Sequence, residues 1–261
     1  MKQRTLTGVV LALLSMVLLG CFHLPWVPQL IAILLGCGAV WEILGANGIR
    51  NKGSYAAGLF LAVIIPLFSL TEKVWWMVAA LVLGLGFFTY LMTRIGKQVP
   101  AWVAAPEIVL ALSLYRGLAC YGEIPHGAFF LCLTGLICAL TDIFAYLVGS
   151  RFGRHKLAPK VSPGKSIEGA LGGLGITVVL IVLVFGRFFD DIGTLVLYTA
   201  VVSILGQFGD LSMSAVKRVA GVKDFGHIFP GHGGILDRCD SLMYPLAFTW
   251  LLYCAQIWIF V

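Results

Sequence analysis

Residues 214–240 read SAVKRVAGVKDFGHIFPGHGGILDRCD, the longest polar run in a very apolar sequence. The run carries four cations (Lys217, Arg218, Lys223, Arg238), three carboxylates (Asp224, Asp237, Asp240) and two histidines (His227, His232). A turn-forming PGHGG segment sits in its middle, and apolar runs long enough to be buried in a bilayer flank it on both sides. Hard anions, basic donors and flexible glycines in one stretch suit metal-assisted phosphate chemistry at a membrane surface.

Composition sets the class. Of 261 residues, 60% are hydrophobic and 11% charged, with a mean hydropathy of +0.98. A soluble domain holds about a quarter charged residues. The chain therefore reads as an all-α polytopic integral membrane protein with no room for a separate soluble domain. Nine candidate spans fall near 5–22, 27–46, 55–70, 74–92, 102–121, 127–149, 167–186, 192–216 and 241–260. The fifth is the weakest, because it contains Glu107 and Arg116. With the N-terminus cytoplasmic, the inside segments 1–4, 47–54, 93–101, 150–166 and 217–240 hold 15 of the 18 basic residues, as the positive-inside bias requires. The net charge of +6 is then topological, and no basic face is available for nucleic acid.

The apolar run after MKQR reads as an uncleaved first span. Residues 1–100 read as a scaffold of transmembrane helices, with Trp75, Trp76 and Trp102 suited to interfacial belts and Glu42 snorkelling from a helix end. Residues 101–261 read as the catalytic region, with cytoplasmic loops 150–166 and 217–240. The seven cysteines contain no C-x-x-C pair and read as buried thiols rather than a disulfide framework or a zinc site.

A second polar block, 142–169, reads DIFAYLVGSRFGRHKLAPKVSPGKSIEG. Asp142, Ala145, Tyr146 and Gly149 fall on one helical face. An ionisable residue in a membrane helix is costly and marks a functional cavity, the alternative being an internal pair with Arg116. Gly164-Lys165-Ser166 is not a P-loop, because Pro159 stands where that motif needs glycine. Ser162-Pro163 reads instead as a helix start whose free N–H groups, with Lys165 beside them, make an anion site. In FGDLSMSAVKR, Asp210, Ser214 and Lys217 share a face, and Asp210 needs a partner, either a metal or Lys217. Asp237 and Asp240 open the last span, where Asp240 has the simpler option of capping Ser241. His232, between glycines, is either a phosphate donor or a turn residue.

The run 214–240 resembles the signature of the phosphatidate cytidylyltransferases (CDP-diacylglycerol synthases). Ser214, Val216, Lys217, Arg218, Lys223, Asp224, Gly226, Pro230, His232, Gly233, Gly234, Ile235, Asp237, Arg238 and Asp240 carry the match. Cys239 stands where the family usually has an aliphatic residue or Thr. The block 142–169 resembles the family's upstream pattern, with Gly164 where many members have Lys. The likeness is strong over about the last 120 residues and only general before them.

This resemblance implies transfer of CMP from CTP to phosphatidate, giving CDP-diacylglycerol and pyrophosphate. It implies Mg2+ held by Asp210 and Asp237, with a monovalent cation as an open addition. The catalytic set expected from it is Asp210, Asp237, Lys217, Arg218, Asp224 and Arg238. The substrate-binding set is Asp142, Ser162, Lys165, Ser214, Lys223, His232, Gly233, Gly234 and Asp240. Expected surroundings are the inner (plasma) membrane with the site on its cytoplasmic side, and a homodimer is left open. Alternatives are a related CTP-using lipid enzyme (a polyprenol kinase or a CDP-archaeol-type synthase) and, further off, a transporter.

Overall fold

The computed structural model describes residues 17, 20–22, 24, 26–67, 74–95, 103–226, 228 and 233–256. Its helices are α1 (Trp26–Ala46), α2 (Lys52–Leu67), α3 (Val74–Arg94), α4 (Ala104–Ala119), α5 (Gly127–Phe152), α6 (Ile167–Phe185), α7 (Ile192–Val219), α8 (Leu236–Cys239) and α9 (Met243–Cys254). Every candidate span from 27 onward thus carries a helix, while 5–22 lies largely outside the described residues. Among the described residues, α1, α5, α6 with the 3-10 turn after it, and α7 are long and apolar enough to cross a membrane. A largely helical integral membrane protein results.

One departure from all-α is a two-stranded antiparallel hairpin, β1 (Lys156–Ala158) and β2 (Ser162–Ser166), inside loop 150–166. Pro163 is tolerated there because a two-stranded sheet consists only of edges. The cysteines also differ from expectation. Cys120 and Cys138 are buried, but Cys132 is exposed on α5, and the other four are intermediate.

The polar content of the fifth candidate has a packing cause. Helix α4 is almost wholly buried, Glu107 and Arg116 included, with α1, α2, α3 and α9 against it. Its surroundings are protein, so it need not be as apolar as a lipid-facing helix. Arg116 donates to the Ile65 carbonyl at 2.6 Å, one of the carbonyls left free at the end of α2, and not to Asp142. Glu107 accepts from Asn47 Nδ2 at 3.0 Å.

Helix α6 is the opposite case. Only Gly169, Gly173, Thr177 and Ile181 are buried, a stripe at every fourth position. Leu171, Ile176, Val179, Leu183 and Val184 stay exposed, as lipid contact demands. The glycine stripe lets α5 approach closely, as small-residue interfaces do in membranes. Hydroxyls bind the bundle further: Thr134 to Tyr198 at 2.7 Å, Tyr198 to Thr249 at 3.0 Å and Thr141 to Ser203 at 2.9 Å.

A Cβ on Gly173 would lie 2.7 Å from the Thr141 carbonyl, whereas one on Gly175 meets open space. Gly173→Leu is therefore expected to cost about 1–3 kcal/mol by overpacking. Thermal melting in detergent should show the loss for Gly173→Leu and none for Gly175→Leu.

Candidate functional site

Two Lys–Asp pairs organise the polar end of the bundle. Asp210 lies on α7, about 14 Å below the end of that helix at 1.5 Å per residue. Its Oδ2 contacts Lys165 Nζ from β2, and its Oδ1 accepts from Ser214 Oγ at 3.3 Å. The Asp210–Ser214 relation is the i, i+4 face seen in the sequence, but the cation is Lys165 rather than Lys217.

Lys217 belongs to the second pair. Its Nζ meets Asp237 Oδ1 at 2.8 Å and sits 5.5 Å from the Phe225 ring centroid. The chain reaches that geometry by a turn at the end of α7. Gly221 has φ +74°, its N–H donates to Arg218 O at 3.3 Å, and Val222 N–H donates to Lys217 O at 2.9 Å. These bonds form a Schellman cap, which needs glycine at the left-handed position. Asp237 sits in the four-residue α8, where its Oδ2 accepts from the Phe225 and Gly234 N–H groups, each at 2.9 Å. Burial alone would raise its carboxyl, but the Lys217 ammonium and the two N–H groups hold it below the usual carboxylate value.

The two loops meet. Arg218 Nε donates to the Val161 carbonyl at 3.1 Å, tying the end of α7 to the hairpin. A cavity of about 400 Å³ opens beside the Lys165–Asp210 pair, lined by Asp142, Tyr146, Ser162 and Gln207 among others. Asp142 stands within electrostatic reach of both Lys165 and Asp210. The face predicted from 142, 145, 146 and 149 is the one observed: the first three line the cavity, and Gly149 packs on Ser166.

One local expectation is corrected. Ser162-Pro163 is strand, and α6 starts four residues later, with Ser166 Oγ accepting from Gly169 N–H at 3.1 Å. The later start lets Glu168 take the Arg154 N–H at 3.1 Å, the His155 N–H at 3.2 Å and the His155 ring at 2.6 Å. Those bonds close the base of the hairpin that presents Lys165.

Asp240 is not the cap of the last helix, which begins at Met243; its Oδ1 accepts from the adjacent Ser241 N–H at 2.8 Å. Burial first, and then the charge of Asp210, push its carboxyl up to about 7. Gly233, at φ +84°, and Gly234 wrap Asp237. Lys223, Asp224, Arg218 and Arg238 are exposed. His227 and His232, with the side chains of Trp75, Trp76 and Trp102, lie outside the described residues.

Comparison with known sequences fits this geometry. The profile of the cytidylyltransferase family matches residues 2–255. The chain belongs to the cytidylyltransferase family. It is 36% identical over 257 residues to the phosphatidate cytidylyltransferase of Staphylococcus haemolyticus, covering 94% of this chain and 96% of the relative. The protein of the same name from Staphylococcus epidermidis (strain RP62A) is 36% identical over 254 residues, with the same coverages. That of Staphylococcus aureus (strain COL) is 35% identical over 257 residues, again covering 94% and 96%.

Against a divalent ion, the two pairs share one pattern. In each aspartate one oxygen is held by neutral donors, Ser214 or backbone N–H, and the other already faces an ammonium. Those outer oxygens are hard donors of the kind magnesium takes, and each is engaged by a lysine ammonium that a divalent ion would have to displace. Among the described residues no three His, Cys, Asp or Glu side chains group as a metal site. Magnesium does not need one, since it binds through one or two carboxylates, water and phosphate.

Sequence reading missed Gln207 and Glu42. Gln207 lies three residues before Asp210 on α7 and lines the cavity. Its signal was a polar residue at i−3 from an intramembrane acid. Glu42 does not snorkel: it is 2% exposed and bonded to the signature loop. The cost rule applied to Asp142 would have found it.

Lys217→Met leaves Asp237 with backbone donors alone. Losing a charge-assisted bond, about 1.5–3 kcal/mol, should raise the open population of 221–237 about tenfold or more. Trypsin cleavage after Lys223, timed against wild type in detergent, checks this.

Proposed function

We propose that this chain is a phosphatidate cytidylyltransferase, transferring CMP from CTP to phosphatidate to give CDP-diacylglycerol and pyrophosphate for phospholipid synthesis. The observation that carries the proposal is the meeting of two distant polar blocks, 142–169 and 210–240, at the Lys165–Asp210 pair beside a cavity. The names of the relatives support the same activity over nearly the whole chain.

The chemistry suits the residues. A phosphate oxygen of phosphatidate attacks the α-phosphorus of CTP, the α–β bridging P–O bond breaks, and pyrophosphate leaves with the electron pair. The nucleophile is already an anion at neutral pH, so no strong general base is needed. What remains is positioning and charge neutralisation. Lys165, beside the cavity, neutralises CTP phosphates, and Ser162 contributes a hydroxyl donor. Lys217 and Arg238 neutralise charge at the loop end of the site. Arg218 positions the hairpin through Val161. Asp210 and Asp237 are the residues that would hold magnesium. When bound, the ion supplies charge neutralisation for the reacting phosphates.

Lipid access is the other requirement. An apolar cavity of about 310 Å³ lies behind the signature, lined by Tyr115, Leu118, Cys239, Leu242 and Leu246 among others. It places hydrocarbon-compatible surface one residue from Arg238 and Asp240. We place the N-terminus and both polar loops on the cytoplasmic side of the inner membrane, where CTP is available, in keeping with the positive-inside bias.

Product analysis tests the proposal. The reconstituted protein is given CTP, magnesium and, in separate reactions, phosphatidate, a polyprenol and an unsaturated archaeal-type ether phospholipid acid. Conversion of phosphatidate to CDP-diacylglycerol is expected; product only from one of the other acceptors would replace the proposal. Asp210→Ala and Asp237→Ala are each expected to abolish turnover across a magnesium titration while the protein still inserts. Lys165→Ala is expected to raise the KM for CTP more than that for phosphatidate. An unchanged CTP KM would make the hairpin only a topological anchor.

A further inference from the structure

Helix α1 carries a single charged residue, Glu42, and buries it. Among the described residues no cation pairs with this carboxylate. Its Oε1 accepts the Ile235 N–H at 2.8 Å and its Oε2 the Leu236 N–H at 2.9 Å, across 193 and 194 residues of sequence. The next N–H back, Gly234, donates to Asp237 Oδ2 at 2.9 Å. Three consecutive amides at 234–236 are thus shared between two carboxylates, Glu42 from the N-terminal half and Asp237 from the signature itself.

The surrounding glycines keep this arrangement open. A Cβ on Gly226 would lie 2.7 Å from Glu42 Oε1, and one on Gly234 would run into the same carboxylate. One turn before Glu42, a Cβ on Gly38 would lie 2.5 Å from Ile235 Cδ1. Gly38 and Glu42, four residues apart and so on one face of α1, seat Ile235 from the side-chain end and the backbone end respectively.

We propose that Glu42 is a positioning residue for the transfer reaction. It fixes the turn 234–236 so that Asp237 presents Oδ1 to Lys217, the cation that faces the loop end of the site. This rests on the cytidylyltransferase reading above and deepens it: α1 becomes part of the support of the site rather than scaffold alone. A carboxylate is suited to the task because it offers an acceptor to each of two adjacent N–H groups, where glutamine offers only one oxygen.

The test uses the full-length protein in lipid nanodiscs. Glu42→Gln, Glu42→Asp and Gly38→Val are compared with wild type by amide exchange of peptides spanning 233–237, by kcat and CTP KM, and by thermal melting. For Glu42→Gln the expected results are exchange at 235–236 about tenfold faster and a kcat at least about tenfold lower. The CTP KM should stay within about twofold, because the hairpin side of the site is untouched. Peptides of α5 and α6 should keep their protection. Glu42→Asp should fall between. Gly38→Val, which disturbs the same seat through Ile235, should reproduce the exchange and kcat changes even if Glu42→Gln fails to fold. Faster exchange with wild-type kcat, reduced kcat with unchanged exchange, or activity lost only in proportion to folded protein would each overturn the proposal. If the wild type makes no CDP-diacylglycerol, the transfer reading falls separately, and the exchange data still report whether Glu42 holds the turn.

Discussion

A carboxylate carried into a membrane protein must meet a cation or a row of N–H groups, because bare charge in that setting is prohibitive. The architecture at the polar end follows from how three acids meet this demand. Asp210 takes Lys165 from the hairpin, Asp237 takes Lys217 together with two backbone amides, and Glu42 takes two amides of the signature turn. Each solution links parts of the chain that are far apart in sequence. Together they join α1, the β hairpin, α7 and α8 into one polar assembly on an otherwise apolar bundle.

Packing below that assembly is divided between protein and lipid. Helix α4 is enclosed by its neighbours and therefore carries Glu107 and Arg116 without needing lipid to accept them. Helix α6 touches protein along one stripe of small residues and presents branched aliphatics elsewhere. The close approach of α5 and α6 places Asp142 and Lys165 beside the same cavity. A phosphate-transfer site that draws one substrate from water and the other from the bilayer needs this juxtaposition of polar cavity and apolar surface.

Much of this was legible in the sequence, because the information was local or periodic. Helix positions from 27 onward followed from apolar length, and the 142–149 face followed from helical spacing. The site candidates came largely from the gapped signature, and the structure brings Lys217, Arg218 and Asp237 of it to the polar end of the bundle. The partners of the acids were not legible, because pairing is a tertiary property. The sequence offered Asp210 a metal or Lys217, and the hairpin brings it Lys165 instead. The start of α6 was misplaced because Ser162-Pro163 and Ser166 both look like caps. What selects Ser166 is Glu168 reaching back to His155, a contact that requires the hairpin to exist. Glu42 was read as snorkelling because its partners are backbone amides, which leave no mark in a sequence.

Whether this chain transfers a nucleotidyl group is read from the fate of the CTP phosphates. Purified protein would be incubated with phosphatidate, magnesium and CTP labelled at either the α- or the γ-phosphate, followed by lipid extraction. Nucleotidyl transfer puts α-label in the lipid phase as CDP-diacylglycerol and γ-label in aqueous pyrophosphate. γ-Label in the lipid, or no label there with either substrate, would contradict it.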